Sequence, residues 1–433
     1  MDEQRIIILD ALAYLFSFIY WTVKIRKINA GLLILFIMTI SHIGAILYYS
    51  VLSELGLIQD TITIMPFIFL YSVIIINLYP FLKHEGIKSI DVSGYEKYIY
   101  ILSLIIILFN FEPFIENINV MLSSKSDYSE MYEDMREGFS SIYSELGERL
   151  MRWSNYFRLF VPISFFYYLS QKEKDFTILA GLFMCMINYV LYWVNLGGRG
   201  GILSQFLMYL LCYLLFLPTF PDNMLRYMKR VLLIMTIPLI MVFAAITVSR
   251  FEGGSSNKSL VEWLLLYTSE GPIKFNNEMW NGEHNTNGDV NLCYLKSILG
   301  LKTFTTFEER DDYYLAKNGR RIEVFYTYVG DFVSDFGIFG ALVTCFVLYL
   351  LLRRTLLEDG IVPFHYMFYI LFVAHMLSIG FASNIYRSNN MQKGCFFMLL
   401  IFIFLARLYN PDKENLEEET DEKSIVEIKE VEI

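Results

Sequence analysis

Charge is what this sequence lacks most. Only 18% of its 433 residues are charged while 55% are apolar, and mean hydropathy is +0.44. A soluble domain carries roughly a quarter charged residues, so a soluble globular chain is excluded. Cysteine is scarce as well. Cys185, Cys212, Cys293, Cys345 and Cys395 show no CxxC or paired spacing, and four of them lie inside apolar runs. Neither a disulfide framework nor a metal site is implied, and no cofactor motif is present. No internal repeat is visible. The first apolar run starts at Ile6 with no A-x-A type site after it, so it is expected to be a retained helix rather than a cleaved signal.

What is present is apolar sequence in long blocks, the pattern that lipid selects. There are 37 Phe and 31 Tyr, as expected where rings sit at headgroup depth. The net charge of −10 is concentrated in one place. Residues 411–433 hold ten acidic residues against three lysines, a net −7, which leaves the rest near neutral. That balance gives no reason for a nucleic-acid partner, and the tail reads as disordered.

A membrane span needs about 20 mostly apolar residues. Candidate runs fall at 6–23, 31–49, 62–79, 98–114, 153–169, 176–196, 201–218, 231–248, 332–352, 362–381 and 394–409. They lack the alternation of a barrel, and lipid offers backbone groups no partner, so helices are expected. The expected fold is all-α: a polytopic membrane protein of about eleven transmembrane helices over residues 1–410, followed by the acidic tail 411–433. Orientation follows from lysine and arginine. Lys24, Arg26 and Lys27; Lys83, Lys88 and Lys97; Lys172 and Lys174; Arg226, Lys229 and Arg230; and Arg353 and Arg354 fall on every second loop. Those loops are expected in the cytoplasm, with the N-terminus outside and the tail inside.

Two long segments then lie outside, 115–152 and 250–326. In the first, Phe139, Ile142, Tyr143, Leu146 and Leu150 recur at spacings of three and four, with Glu137, Glu145 and Glu148 opposite. This predicts an amphipathic helix on the outer membrane face or against the bundle. The second is long enough between spans to expect a function of it.

Arginines on the outer side are the sharpest chemical signal, because the positive-inside rule disfavours them there. Arg199 stands in Gly197-Gly198-Arg199-Gly200-Gly201, a tight hairpin between two spans. Gly198 and Gly200 let backbone approach a ligand, and a guanidinium offers a planar fork to phosphate oxygens. Arg250 ends the eighth run beside Gly253 and Gly254, and Arg387 stands in Asn384-Ile385-Tyr386-Arg387. Each alone could be a headgroup anchor. Converging, they would suit a diphosphate.

His284 is the histidine of the long outside segment and could act as a general base on a sugar hydroxyl. Asp331 and Asp335, four apart, share one helical face at the entrance to the ninth run. Arg321 and Tyr326 stand just before them. The Asp335-Phe336-Gly337 tripeptide has no kinase meaning without the companion motifs. Glu308-Glu309 and Asp311-Asp312 lack ligand spacing and read as a solvated charge run.

The layout resembles the Wzy-type O-antigen or capsular oligosaccharide repeat-unit polymerases. The resemblance rests on the Gly-Gly-Arg-Gly-Gly hairpin around Arg199, on Ser249-Arg250-Phe251 at a span end, and on the large outside segment. The re-entry through Tyr326, Gly330, Asp331, Asp335 and Gly337 completes it. It implies a glycosyltransferase C-like membrane fold in the bacterial inner membrane. It also implies glycosyl transfer at the periplasmic face from an undecaprenyl-diphosphate-linked glycan, with a chain-length regulator as a possible partner. On that reading Arg199, Arg250 and Arg387 serve the diphosphate. His284, Asp331 or Asp335 serves as base or orients the acceptor, and Arg321, Tyr326, Gly198 and Gly200 contact substrate. An O-antigen ligase shares this layout and is the nearest rival. A flippase would instead show repeats or broken helices near mid-membrane.

Overall fold

The computed structural model describes residues 2–54, 61–84, 86–123, 143–221, 224–226, 230, 260–280, 286–301, 304, 307–318, 325–356 and 360–410. The eighth apolar run (231–248), the tail 411–433, Arg250, His284 and Arg321 lie outside the described residues.

In chain order the helices are α1 (Glu3–Ile25), α2 (Ala30–Glu54), α3 (Ile64–Lys83), α4 (Glu96–Ser123), α5 (Glu145–Tyr156), α6 (Phe160–Ser170), α7 (Phe176–Asn195), α8 (Arg199–Phe216), α9 (Leu260–Lys274), α10 (Cys293–Ile298), α11 (Phe307–Asn318), α12 (Thr327–Leu356), α13 (Phe364–Ile379) and α14 (Asn389–Leu408). Two short strands, β1 (Ser89–Asp91) and β2 (Ile361–Pro363), pair in parallel. Among the described residues, 8 helices are long and apolar enough to cross a membrane: α1, α2, α3, α4, α7, α8, α12 and α14. The chain is an all-α, multi-pass membrane protein.

Two of the expected spans are shorter than the sequence predicts. The run 153–169 becomes α6, whose 11 residues cover about 17 Å, less than the hydrocarbon thickness. The chain breaks at 157–159, and the first residues of the run belong to α5. The tenth run becomes α13, 16 residues long. α12 departs in the opposite direction. Its 30 residues would cover about 45 Å, but Gly337 interrupts it at φ 70°, ψ 176°. Residues 338–356 cover about 28 Å and suffice to span. Residues 327–335 form a separate helical piece, buried throughout, as irregular backbone at membrane depth requires.

The bundle turns apolar side chains outward. Phe16 is 64% exposed, Leu108 69% and Phe339 78%, a surface that only lipid can cover. Its two ends are distinct. At one end Asn29 donates to the Phe81 carbonyl, β1 pairs with β2, the Asn410 amide donates to the Ser93 carbonyl, and Gly86 lies against Pro218. These are the segments that carry the alternating lysines and arginines. At the other end the Thr63 amide donates to Asn276, Asn195 to Asn117, and Thr286 to the Ser334 carbonyl.

The interior is polar where α4, α5 and α7 meet. Asn117 donates to Asn188 at 2.7 Å, Asn188 donates to Asn110 at 2.9 Å, and Ser154 donates to Asn110 at 2.8 Å. These pairs satisfy one another where water is absent. The helix expected in the first long segment forms beside these pairs and packs on α4 and α14. α5 forms with Ser144 as N-cap, accepting from the Gly147 amide at 3.0 Å. It buries Gly147, Met151 and Ser154, whereas Leu146 is exposed. A polar ladder in the bundle recruits Ser154 inward beside Met151, and Tyr143 of the apolar stripe packs against the core. Phe139 and Ile142 lie outside the described residues.

Candidate functional site

α8 and α14 both begin at the end of the bundle opposite β1 and β2, and the arginines gather there. The re-entrant piece 327–336 is fixed first. The Thr327 and Tyr328 amides donate to the Ala382 and Gly380 carbonyls, each at 2.9 Å, tying the start of α12 to the end of α13. Thr327 sits at φ 72°, an unusual conformation for a β-branched residue that the surrounding contacts must hold. Gly271 of α9 lies so close to the Phe381 carbonyl that a Cβ would come within 2.2 Å.

From this base Asp331 and Asp335 point to two different loops. One oxygen of Asp331 accepts from the Asn384 amide at 2.6 Å, and the other accepts from an Arg387 guanidinium nitrogen at 3.3 Å. Asp335 accepts from the Val290 amide at 3.0 Å, from the Asn291 amide at 2.6 Å, from the Asn291 side chain at 2.8 Å, and from the Thr286 hydroxyl. Asn384 donates to Asn291 at 2.7 Å and closes the lattice. Both carboxylates therefore clamp the 286–291 and 384–387 segments. With its acceptor sites filled by N–H and O–H donors, Asp335 is a positioning residue, and Asp331 holds Arg387.

Arg310 of α11 is the residue that sequence reasoning missed. It sits inside the acidic run Glu308–Asp312, which reads as solvated, yet it is largely buried and its Nε has no hydrogen-bond partner. Burial, aided by the neighbouring Arg387 guanidinium, holds its pKa below the ordinary value. Two guanidinium groups side by side repel, and an anion between them relieves the cost.

Arg199 is the first residue of α8 and is 6% exposed; its guanidinium lies 5.6 Å from the Tyr267 ring centroid. The flanking glycines divide in role. A Cβ on Gly198 or Gly201 would meet the Trp193 ring at 2.7 or 2.0 Å, so packing alone explains both. Gly200 is exposed with nothing within 4 Å of where its Cβ would stand. It is the glycine left open to a ligand. Trp193 connects a further arginine to this turn, because the Arg158 guanidinium lies 5.8 Å from its ring centroid. Arg158 stands at the α5–α6 break, 7% exposed, and donates to Gln205 of α8. His375 of α13 bonds Ser204 at 2.9 Å and Tyr386 at 2.8 Å, next to Arg387 in sequence.

Of the residues singled out in the sequence, Asp331, Asp335 and Arg387 are brought into one hydrogen-bonded lattice. Arg199 and Gly200 lie at the same end of the bundle. Tyr326 is 3% exposed, buried in the core beneath the site. Arg250, His284 and Arg321 lie outside the described residues. Arg158 and Arg310 join the site without a sequence signal, since one interrupts an apolar run and the other is masked by acidic neighbours. The arrangement gathers guanidinium groups at one end of a lipid-exposed bundle, against carboxylates already engaged with backbone and amides. Such a surface can bind a membrane-bound anion and stabilise negative charge that develops on it. Comparison with protein-family models, curated proteins and solved structures gave no match.

Proposed function

We propose that this protein is a membrane glycosyltransferase that polymerises lipid-diphosphate-linked oligosaccharide repeat units at the periplasmic face of a bacterial inner membrane. The lysine- and arginine-bearing loops at the β1–β2 end lie in the cytoplasm on this reading, about eleven helices cross the membrane in a glycosyltransferase C-like arrangement, and the tail is cytoplasmic. The observation that carries the proposal is the gathering of Arg199, Arg310 and Arg387 at the opposite end, with the Arg387 guanidinium held by Asp331 at 3.3 Å. Positive charge buried at the outer end of a membrane bundle favours an anionic substrate anchored in the same membrane.

In the reaction, an acceptor sugar hydroxyl attacks the anomeric carbon of the donor glycan. The new glycosidic C–O bond forms as the bond to the lipid diphosphate breaks, and the bonding pair leaves on the diphosphate oxygen. The hydroxyl proton passes to a base. Arg199, Arg310, Arg387 and Arg250 stabilise the charge that grows on the leaving group, in place of a metal ion. His284 is the base in this reading, with Asp335 holding Thr286, two residues further along the chain. Arg321 remains a candidate for sugar contact and a chain-length regulator a candidate partner, whereas Tyr326, buried in the core, supports the site without reaching substrate.

The reading is tested by incubating the purified protein with a lipid-linked repeat unit in detergent, without any gradient. Formation of longer lipid-linked glycan supports it. Failure to extend the unit, together with transfer to a lipid A core acceptor, would make the protein a ligase instead.

A further inference from the structure

Toward the β1–β2 end of the bundle, α3 and α12 leave a gap. Ile75, Ile76, Tyr79 and Lys83 of α3 face Phe346, Tyr349 and Arg353 of α12 across an open groove of about 430 Å³. Spacings of three and four put each set on one helical face. The two helices are tied on both sides of the gap. Deeper in the bundle Asn77 donates to Tyr328 at 3.0 Å. Past the helix ends the Lys88 amide donates to the Gly360 carbonyl at 2.7 Å, and β1 pairs with β2. Both helices are long and apolar enough to span, and Ile76 is 36% exposed and Phe346 50%. The groove therefore opens to lipid, and at roughly 30 Å³ per water it is far larger than a trapped solvent site. Its mouth is cationic. Lys83 and Arg353 are both exposed, and among the described residues neither forms an ion pair. The Lys83 ammonium lies 5.8 Å from the Tyr79 ring centroid, and Tyr79 meets Trp21 edge-on at 6.1 Å. Such rings mark headgroup depth. Apolar walls, tyrosines at the rim and two cations at the mouth match a lipid chain below one negative headgroup.

We propose that this groove binds an anionic phospholipid, whose phosphate lies between Lys83 and Arg353 and whose acyl chain lies along Ile75, Ile76 and Phe346. The lipid braces the spanning part of α12 against α3, and the buried piece of the same helix carries Asp331 and Asp335. The site lies at the end of the bundle opposite Arg199 and Arg387, and it stands whether or not the protein transfers sugar.

Full-length protein is reconstituted in nanodiscs of phosphatidylcholine with increasing phosphatidylglycerol, and retained lipid is counted by native mass spectrometry. Wild type is expected to retain one phosphatidylglycerol in preference to phosphatidylcholine. Lys83→Gln combined with Arg353→Gln should weaken that event by roughly fivefold for each charge removed. Ile76→Trp fills the groove without changing charge and should also abolish the event. Lys97→Gln combined with Lys172→Gln removes the same charge from exposed positions at the same end, outside the groove. That variant should bind as wild type does. Retention equal to wild type in the Lys83→Gln, Arg353→Gln protein, or in Ile76→Trp, would overturn the proposal. Equal loss in the Lys97→Gln, Lys172→Gln protein would overturn it too, because the attraction would then be diffuse and the groove no site.

Discussion

Asn291 donates to a single oxygen of Asp335 twice, from its main-chain nitrogen at 2.6 Å and from its side-chain amide at 2.8 Å. That pairing decides how the carboxylate is read. A general base needs a lone pair aimed at substrate, and Asp335 has spent its lone pairs on residues 286–291. The carboxylate therefore shapes the site without touching the chemistry.

Asp335→Asn turns an acceptor into a donor facing donors. The loop 286–291 should detach at a cost of about 1–3 kcal/mol per unsatisfied group. Trypsin should then cut at Lys296 faster than in wild type, in parallel with the loss of activity. Loss of activity with unchanged proteolysis would mean that Asp335 acts directly on substrate.

The Asp331–Arg387 pair makes a second prediction. Arg387→Met leaves a buried carboxylate without its cation, which costs about 3–5 kcal/mol when a buried pair is broken on one side. Asp331→Asn combined with Arg387→Met should recover part of that loss in a thermal melt of the detergent-purified protein. Strict additivity of the two single changes would show that the residues do not interact.

The glycines around Arg199 separate by what they face. Gly201→Ala drives a methyl group into the Trp193 ring, where a Cβ would stand 2.0 Å away. Overpacking of this kind costs about 1–3 kcal/mol. Gly200→Ala meets nothing within 4 Å and should leave the melting temperature unchanged. Equal stability of the two variants would refute the assignment.

At the opposite end, Asp91 accepts from the Ser93 amide at 2.8 Å, from the Ser93 hydroxyl at 2.6 Å and from Tyr409 at 2.6 Å. Burial alone would raise its pKa, but these hydrogen bonds outweigh burial and hold it below 3.8. A depressed carboxylate stabilises the fold above its unfolded pKa, and that contribution disappears as pH falls through the folded value. Asp91→Asn should therefore lower the melting temperature at pH 7, and the gap from wild type should narrow as pH falls below 4. A gap that widens with acid would contradict this.

Much of the architecture is legible in the sequence, because apolar blocks and alternating lysines report directly on lipid. The runs at 6–23, 31–49 and 176–196 coincide with α1, α2 and α7. Span length is less legible where chain breaks are local, as at 157–159 and at Gly337. The site is only partly legible. Arg387 and Asp331 stand out as charges beside spans, but their pairing depends on the α12–α13 tie through Thr327 and Ala382, which no periodicity encodes. Arg310 is hidden because its acidic neighbours make a buried residue look solvated. Ser154 shows the converse, a polar residue buried because Asn110 and Tyr189 await it.

The most direct test is made in the native host, with Arg199, Arg310 and Arg387 each replaced by Ala, membrane levels matched, and surface polysaccharide resolved on a gel. The account predicts that the ladder collapses to a core bearing one repeat unit, because ligation still operates while polymerisation fails. An unchanged ladder from all three variants would contradict it, as would loss of every repeat-bearing band.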